Sequence, residues 1–470
     1  MTRPGVVLEA DRPSTRDVRS TPTGADRRSV RWHILIARLP LVIVVLAVLD
    51  YVLALVRPGT RPQVWLYWTA VWATPVWLTG MLLMVVLPAV VLVGRRSGTR
   101  PAVVDAAVTV LFGLYCFGTR ISPPTGDQLG WWKGAATNTI AASETLADLA
   151  HKVPYWMTHD LNSVRLVSPV FGIVTIAAYL VLARRLALTT TLSRDLLRVF
   201  AIATPLPFWF VAGYIENTFL GLPFMLLALE RLLAHLRTPR PRTLVQVALL
   251  IGLAAAFHLL FLVIAGGAAV ALALLRRGSA RFVDRATVLA GALLVPAAAV
   301  GILLLTPMRV FPGNTNGGYD EQLLTPWVLH AGEWPNRFTM LSHAHAIEVA
   351  NILVQAAPAL VLALPVVLIA ARRRREERPT RPTAPATVET VLAVLSSAYF
   401  AFVAVFGFDY GPVGNLDLML VLSVPFSLFV LLVTARLVGR RSTVLVGLVL
   451  ASVVIQFAFY TLKVATAWAA

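Results

Sequence analysis

An all-α integral membrane protein, a helical bundle with two large outer-face loops, is the fold this sequence predicts, and three observations predict the membrane bundle itself. Of the 470 residues 58% are hydrophobic, and the mean hydropathy is +0.75, far more apolar than a soluble domain of ordinary composition. Apolar runs recur at the length a membrane-crossing helix needs, roughly 20 residues for a hydrocarbon core of about 30 Å. Arginine clusters flank those runs: Arg95 and Arg96, Arg184 and Arg185, Arg276 and Arg277, Arg372 to Arg375, Arg440 and Arg441. They follow the positive-inside rule. The net charge of +18 therefore reads as topology anchors beside anionic headgroups, with the lipid bilayer as partner and no nucleic acid.

Taken in order, Met1 to Arg31 is rich in Arg, Pro, Ser and Thr without an apolar face, which predicts a disordered cytoplasmic tail over 1–32. No cleavable signal peptide is expected ahead of the first full span. The hydrocarbon ruler then gives about thirteen spans. Two of them fill 33–101 and stand as an N-terminal addition to a core over 102–470. The span from Ala102 to Gly118 delivers the chain outside, and a polar loop over 120–165 follows. Pro205 and Pro207 should break the fifth span before an outer turn at Gly213 to Asn217. The run Leu244 to Leu275, basic at both flanks, should be two short helices turning near His258. A second outer loop covers 306–345, and an outer turn near the end carries Asp409 and Asp417. These spans predict a multi-pass protein of a bacterial plasma membrane, N-terminus cytoplasmic and C-terminus outside.

Counting faces concentrates the chemistry on the outer side. Asp127, Glu144, Asp148, Asp160, Glu216, His258, His345 and Asp417 all map there, whereas Asp195, Asp284, Glu376 and Glu377 sit among inner arginines and read as solvated linker charges. Cys116 is the single cysteine, which rules out an intramolecular disulfide and a Cys-based metal site. No phosphate-binding or dinucleotide glycine motif is present, so neither ATP nor a dinucleotide is supported.

Asp127 follows Pro123-Pro124-Thr125-Gly126 directly after a span, where a carboxylate held beneath the headgroups has the position of a general base; capping of the following helix is the plainer role. Over Asn138 to Val153, Ala142, Leu146, Leu149 and Val153 line one side and Glu144, Asp148 and His151 the other, a short interfacial helix whose polar face meets a headgroup or whose apolar face packs on the bundle. His159-Asp160 reads as a base pair, a metal pair or a hydrated loop charge. His258 has no local partner and must find one across helices or in a water-filled cavity. His345, Glu348 and Asn351 share a helical face suited to a phosphate or a divalent metal, though without a zinc signature.

Together, Gly126-Asp127 after a span, Gly213-Tyr214-Ile215-Glu216, Phe257-His258-Leu259, the Ser342 to Pro358 segment and Gly411 to Asp417 resemble a bacterial family of multi-spanning proteins related to the GT-C class of membrane glycosyltransferases. The likeness runs from about Ala102 to Leu437. It implies a polyprenyl-phosphate sugar as donor, a glycan, lipid or protein acceptor at the outer face, and Asp127 as catalytic base. Glu216 and His258 would position the donor, and Lys133, Lys152, Arg165 or Arg309 would neutralise phosphate, with His345 and Asp417 as further substrate contacts. The chain departs from the family at Gln128 and at Asn415-Leu416-Asp417, where one carboxylate fewer leaves a two-acid metal site poorly supplied. No cofactor is required by this reading. The rivals are a transporter or flippase of lipid-linked saccharides, kept open by Asp50 within the first span, and an inactive scaffold for envelope assembly.

Overall fold

The computed structural model describes residues 86–118, 132–203, 217–276, 278–311, a few positions within 341–349, 384–405 and 416–438. Among these, α1 (Pro101–Gly118), α2 (Thr145–Thr158), α3 (Val167–Thr189), α4 (Arg194–Ala203), α5 (Leu222–Arg237), α6 (Pro241–Phe257), α7 (Leu262–Leu275), α8 (Ala280–Leu304), α9 (Ala384–Val405) and α10 (Leu416–Val438) make the protein helical. Two three-residue strands, β1 (Thr139–Ala141) and β2 (Arg309–Phe311), are the exception.

Among the described residues four helical stretches are long and apolar enough to cross a membrane: Leu161–Thr189, Thr218–Arg237, Ala280–Leu304 and Thr387–Val405. The surface of α8 fits that environment, since Leu293, Leu294, Ile302 and Leu304 are all exposed while Val288 and Ala292 are buried. So much exposed apolar area on one helix marks a lipid-facing side. The thirteen expected spans reach beyond the described residues, which include neither the first span, nor the segment holding Pro205 and Pro207, nor the C-terminus.

Sequence explains several helix limits. Pro241 occupies the first position of α6, where its missing N–H costs nothing. That helix ends because His258 turns extended, and a short 3-10 turn, Leu259–Phe261, leads into α7. The apolar run 244–275 is thus two helices broken at His258. The first turn of α5 is prepared by another 3-10 turn, Thr218–Gly221, where the ring of Phe261 lies against the bare α-carbon of Gly221. Any side chain there would displace that ring.

Packing runs α1 on α3, α3 on α5, α5 on α6, α6 on α8, α7 on α8 and α9, and α9 on α10. Lipid tails supply no hydrophobic drive between helices, so close van der Waals fit must hold them together. The α6–α8 contact shows how. A methyl group on Gly291 would lie 2.5 Å from the Ala248 carbonyl oxygen, and one on Gly252 would strike the Gly291 carbonyl. Backbone meets backbone at this crossing.

Ion pairs gather at one end of the bundle. Asp105 near the start of α1 binds Arg194 and Arg198 of α4, the latter at 2.7 Å. Glu230 of α5 lies 2.8 Å from Arg185 of α3 and 2.9 Å from Arg231. Asp284 of α8 takes Arg276 at 2.7 Å and His235 of α5 at 3.2 Å, and Glu389 of α9 pairs with Arg436 of α10. Asp284 and Glu230 are buried, and Asp195 is bound to Arg198 at 2.5 Å. The sequence reading of Asp284 as a solvated linker charge is therefore corrected, whereas Asp195 stays partly exposed and pairs within α4: at this end most of the arginines tie neighbouring helices together, because a buried carboxylate without a partner would be costly.

Candidate functional site

At the opposite end, where α3 and α5 begin and α6 ends, the first loop folds back over the bundle. Its strand β1 runs parallel to β2, in the register Thr139 with Arg309, Ile140 with Val310 and Ala141 with Phe311, and the Arg309 N–H donates to the Asn138 carbonyl at 2.8 Å. This ladder ties the first loop to the chain leaving α8. A 3-10 turn, Ala142–Glu144, then launches α2 across the ends of α6 and the Thr218–Gly221 turn.

The amphipathic reading of this segment left its direction open between headgroup and bundle. In the structure α2 packs on the bundle: Ala147 is buried against Val167, Leu220 and Phe257, with Leu146 and Ala150 beside it, while Phe257 stacks on Phe224 with ring centres 5.1 Å apart. Its polar stripe is turned inward as well, since Asp148, His151 and Lys152 are all buried.

Glu144 is the hub of the polar cluster. One carboxylate oxygen lies 3.0 Å from His258 Nε2, and the other accepts from the Asn217 side-chain amide at 2.6 Å. The His258 ring is committed on both sides, because its Nδ1 accepts from the Leu260 N–H at 3.1 Å and so caps the following 3-10 turn. That acceptor role fixes the tautomer: Nε2 carries the hydrogen and donates it to Glu144. The cross-helix partner that the sequence required for His258 is therefore Glu144.

Asp148 accepts from the Ala141 N–H at 2.7 Å, pinning β1 to the helix it precedes. Lys152 donates to the Gly134 carbonyl at 2.6 Å and the Thr137 carbonyl at 3.0 Å. His151 differs from all of these. It is 2% exposed, and among the described residues neither ring nitrogen has a hydrogen-bond partner.

The electrostatics follow from burial and neighbours. For Glu144 burial is the largest influence and pushes upward, but the attraction and hydrogen bond of His258, the Asn217 amide and the nearby His151 together hold the carboxyl below its ordinary value. Asp148 goes the other way, raised to about 6 by burial; the Ala141 N–H opposes this, Glu144 repulsion adds to it, and Lys152 and Asn217 oppose it. Burial and Lys152 push His151 down to about 4 against the pull of Glu144. Lys152 is itself lowered by burial, with Asp148 resisting.

The residues singled out in the sequence are distributed unevenly around this cluster. His258 lies within it, and so does Lys152, whose ammonium donates to the Gly134 and Thr137 carbonyls. Arg165 stacks its guanidinium 5.7 Å from the centre of the Trp132 ring, whose Nε1 donates to the Leu161 carbonyl at 2.7 Å. Lys133 and Arg309 have exposed side chains. His345 is elsewhere: it is buried, with Nε2 2.9 Å from the Ala404 carbonyl of α9. Asp417 lies in the first turn of α10, and its side chain falls outside the described residues, as do Asp127, Glu216 and the partners expected of His345, Glu348 and Asn351.

His159 and Asp160 are exposed caps. His159 adopts a left-handed conformation at φ 55° to close α2, and the Asp160 carboxylate accepts from the Asn162 N–H at 2.9 Å to start the next turn. Among the described residues no group of three or more His, Cys, Asp or Glu side chains is arranged to hold a metal ion.

Glu144, Asn217 and His151 are the residues that sequence reasoning passed over as site members. Glu144 and His151 were visible as a polar helical stripe; what sequence lacked was any sign that Asn217 and His258 stand opposite it. Comparison with protein families, with curated proteins and with solved structures finds no match to the chain.

Proposed function

We propose that this chain is a membrane glycosyltransferase that moves a sugar from a polyprenyl-phosphate donor to a cell-envelope acceptor on the outer side of a bacterial plasma membrane. The observation that supports this reading is the polar cluster of Glu144, Asn217, His258, Asp148 and His151, the buried Asn217, Asp148 and His151 among them, at the bundle end away from the paired arginines. Polar groups so dense over apolar helices suit a substrate whose tail stays in lipid and whose head is polar.

In the reaction, an acceptor hydroxyl attacks the anomeric carbon, the new glycosidic C–O bond forms, and the bond to the donor phosphate breaks with its electron pair leaving on polyprenyl phosphate. Asp127 takes the hydroxyl proton. Glu216 and the Glu144–His258 pair position the donor. Lys133 and Arg309, with exposed side chains on the first loop and on β2, offer charge to the phosphate, joined by Arg165 above Trp132.

Reconstitution of the full chain in liposomes with labelled polyprenyl-phosphate sugars tests the proposal. Wild type should transfer label to an acceptor, and Asp127→Asn should lose roughly a hundredfold or more in rate. Equal rates in both proteins would remove Asp127 as base. Saccharide translocation without transfer would replace the transferase by a flippase.

A further inference from the structure

We infer that the buried face of α2 forms a subsite for a neutral, hydroxyl-bearing group, a sugar or polyol, and that His151 is the residue that contacts it. The inference deepens the transferase reading, on which its choice of a sugar rests, by naming the part of the donor held here.

His151 is the odd member of a satisfied network. Glu144 is bonded by His258 and Asn217, Asp148 by the Ala141 N–H, and Lys152 by two carbonyls. His151 lies one helical turn beyond Asp148 on the same face, nearly fully buried, with Nδ1 and Nε2 both unpartnered among the described residues. Buried polar groups are almost always hydrogen-bonded, and an unpaired one is costly enough to call for a bound partner.

Charge selects the partner's chemistry. Burial and Lys152 hold the ring neutral over the ordinary pH range, so it presents one donor and one acceptor. An anion would meet the Glu144 carboxylate nearby, and a cation would meet Lys152 while every nearby carboxylate is already engaged. A hydroxyl both gives and takes a hydrogen bond and carries no charge, so it matches the ring without either conflict. Reaching the ring requires α2 to lift from Leu220 and Phe257, against which Ala147 is buried with Leu146 and Ala150 beside it.

The test compares wild type with His151→Leu in lipid nanodiscs, using a short-chain polyprenyl-phosphate sugar, the same polyprenyl phosphate without sugar, and a panel of neutral methyl glycosides. Binding of the sugar-bearing lipid should weaken about tenfold or more in the variant and fall to the level of the bare lipid phosphate, whose own binding is unchanged. Without ligand the variant's Tm should equal or exceed that of wild type, because leucine removes an unpaired polar group and keeps the volume. Equal weakening for both lipids, no weakening for either, or a lower Tm in the ligand-free variant overturns the inference. Should wild type bind neither lipid, the donor reading fails, and the glycosides then decide: binding of a methyl glycoside that His151→Leu abolishes keeps the subsite, and its absence removes the subsite too.

Discussion

Glu144 and His258 meet at 3.0 Å although one follows a strand in the first loop and the other terminates α6. Their contact joins the loop to the helix break, and it divides the work of the His258 ring: one nitrogen orders the turn into α7, the other holds α2 down.

That division is separable by substitution. His258→Asn keeps a side chain able to cap the Leu259–Phe261 turn but too short to reach Glu144. Glu144→Gln and His258→Asn should each lower unfolding stability by roughly 1–3 kcal/mol, and the double variant should lose little more than either alone, with a coupling of about 0.5–3 kcal/mol. Thermal or denaturant unfolding in detergent provides the measurement. Fully additive losses would show that the two side chains act independently.

Two groups in the cluster bias stability with pH in opposite directions. Asp148 is raised from 3.8 to about 6, so the folded protein keeps a proton that the unfolded chain releases; its contribution is fully present below pH 3.8 and declines as pH rises to about 6. His151 is lowered from 6.5 to about 4, so the unfolded chain takes up a proton that the folded protein refuses, and stability falls as pH drops from 6.5 towards 4. The slopes cancel in large part in wild type. Asp148→Asn should expose the His151 slope, with Tm falling on acidification across that window, and His151→Leu should expose the Asp148 slope, with Tm falling as pH rises from 4 to 6. Each slope amounts to at most about 3 kcal/mol. The lowered Glu144 carboxyl stabilises the fold above 4.5, and that stability is lost as pH falls from 4.5 through its folded value. Melting curves from pH 4 to 7 that stay parallel in all three proteins would contradict this account.

Helix α8 offers a paired test of close packing. Gly291→Ala sets a methyl group 2.5 Å from the Ala248 carbonyl oxygen, and since backbone cannot swing aside, α6 and α8 must separate at a cost of roughly 1–3 kcal/mol. Gly301→Ala on the same helix meets nothing within 4 Å and should be neutral or stabilising by up to about 1 kcal/mol. Comparing the two Tm values controls for helix propensity; similar shifts would mean that the crossing is not backbone-limited.

Local features were the legible ones. The break at His258 followed from an apolar run too long for one span between basic flanks, and the stripe Glu144, Asp148, His151 followed from helical spacing. Which way that stripe faced was not legible, because a polar face turned to headgroups and one turned to buried polar partners have the same periodicity. Strands of three residues carry no pattern that could be distinguished from a loop, so the pairing of Thr139 with Arg309 had no signal. Asp284 looked solvated for a similar reason: its arginines were visible, but the His235 that helps to bury it lies on another helix.

The parallel pairing of β1 with β2 also sets an order of assembly. A ribosome builds the first loop long before Arg309, and Glu144 before Asn217 or His258 exists. Until α8 has been made and threaded, β1 has no neighbour, and until α6 ends, the carboxylate of Glu144 has no imidazole to hold. The ladder is thus the last of these contacts to close, after the polar cluster, and a nascent chain halted before residue 309 would carry its helices without the strand pairing that joins its loops.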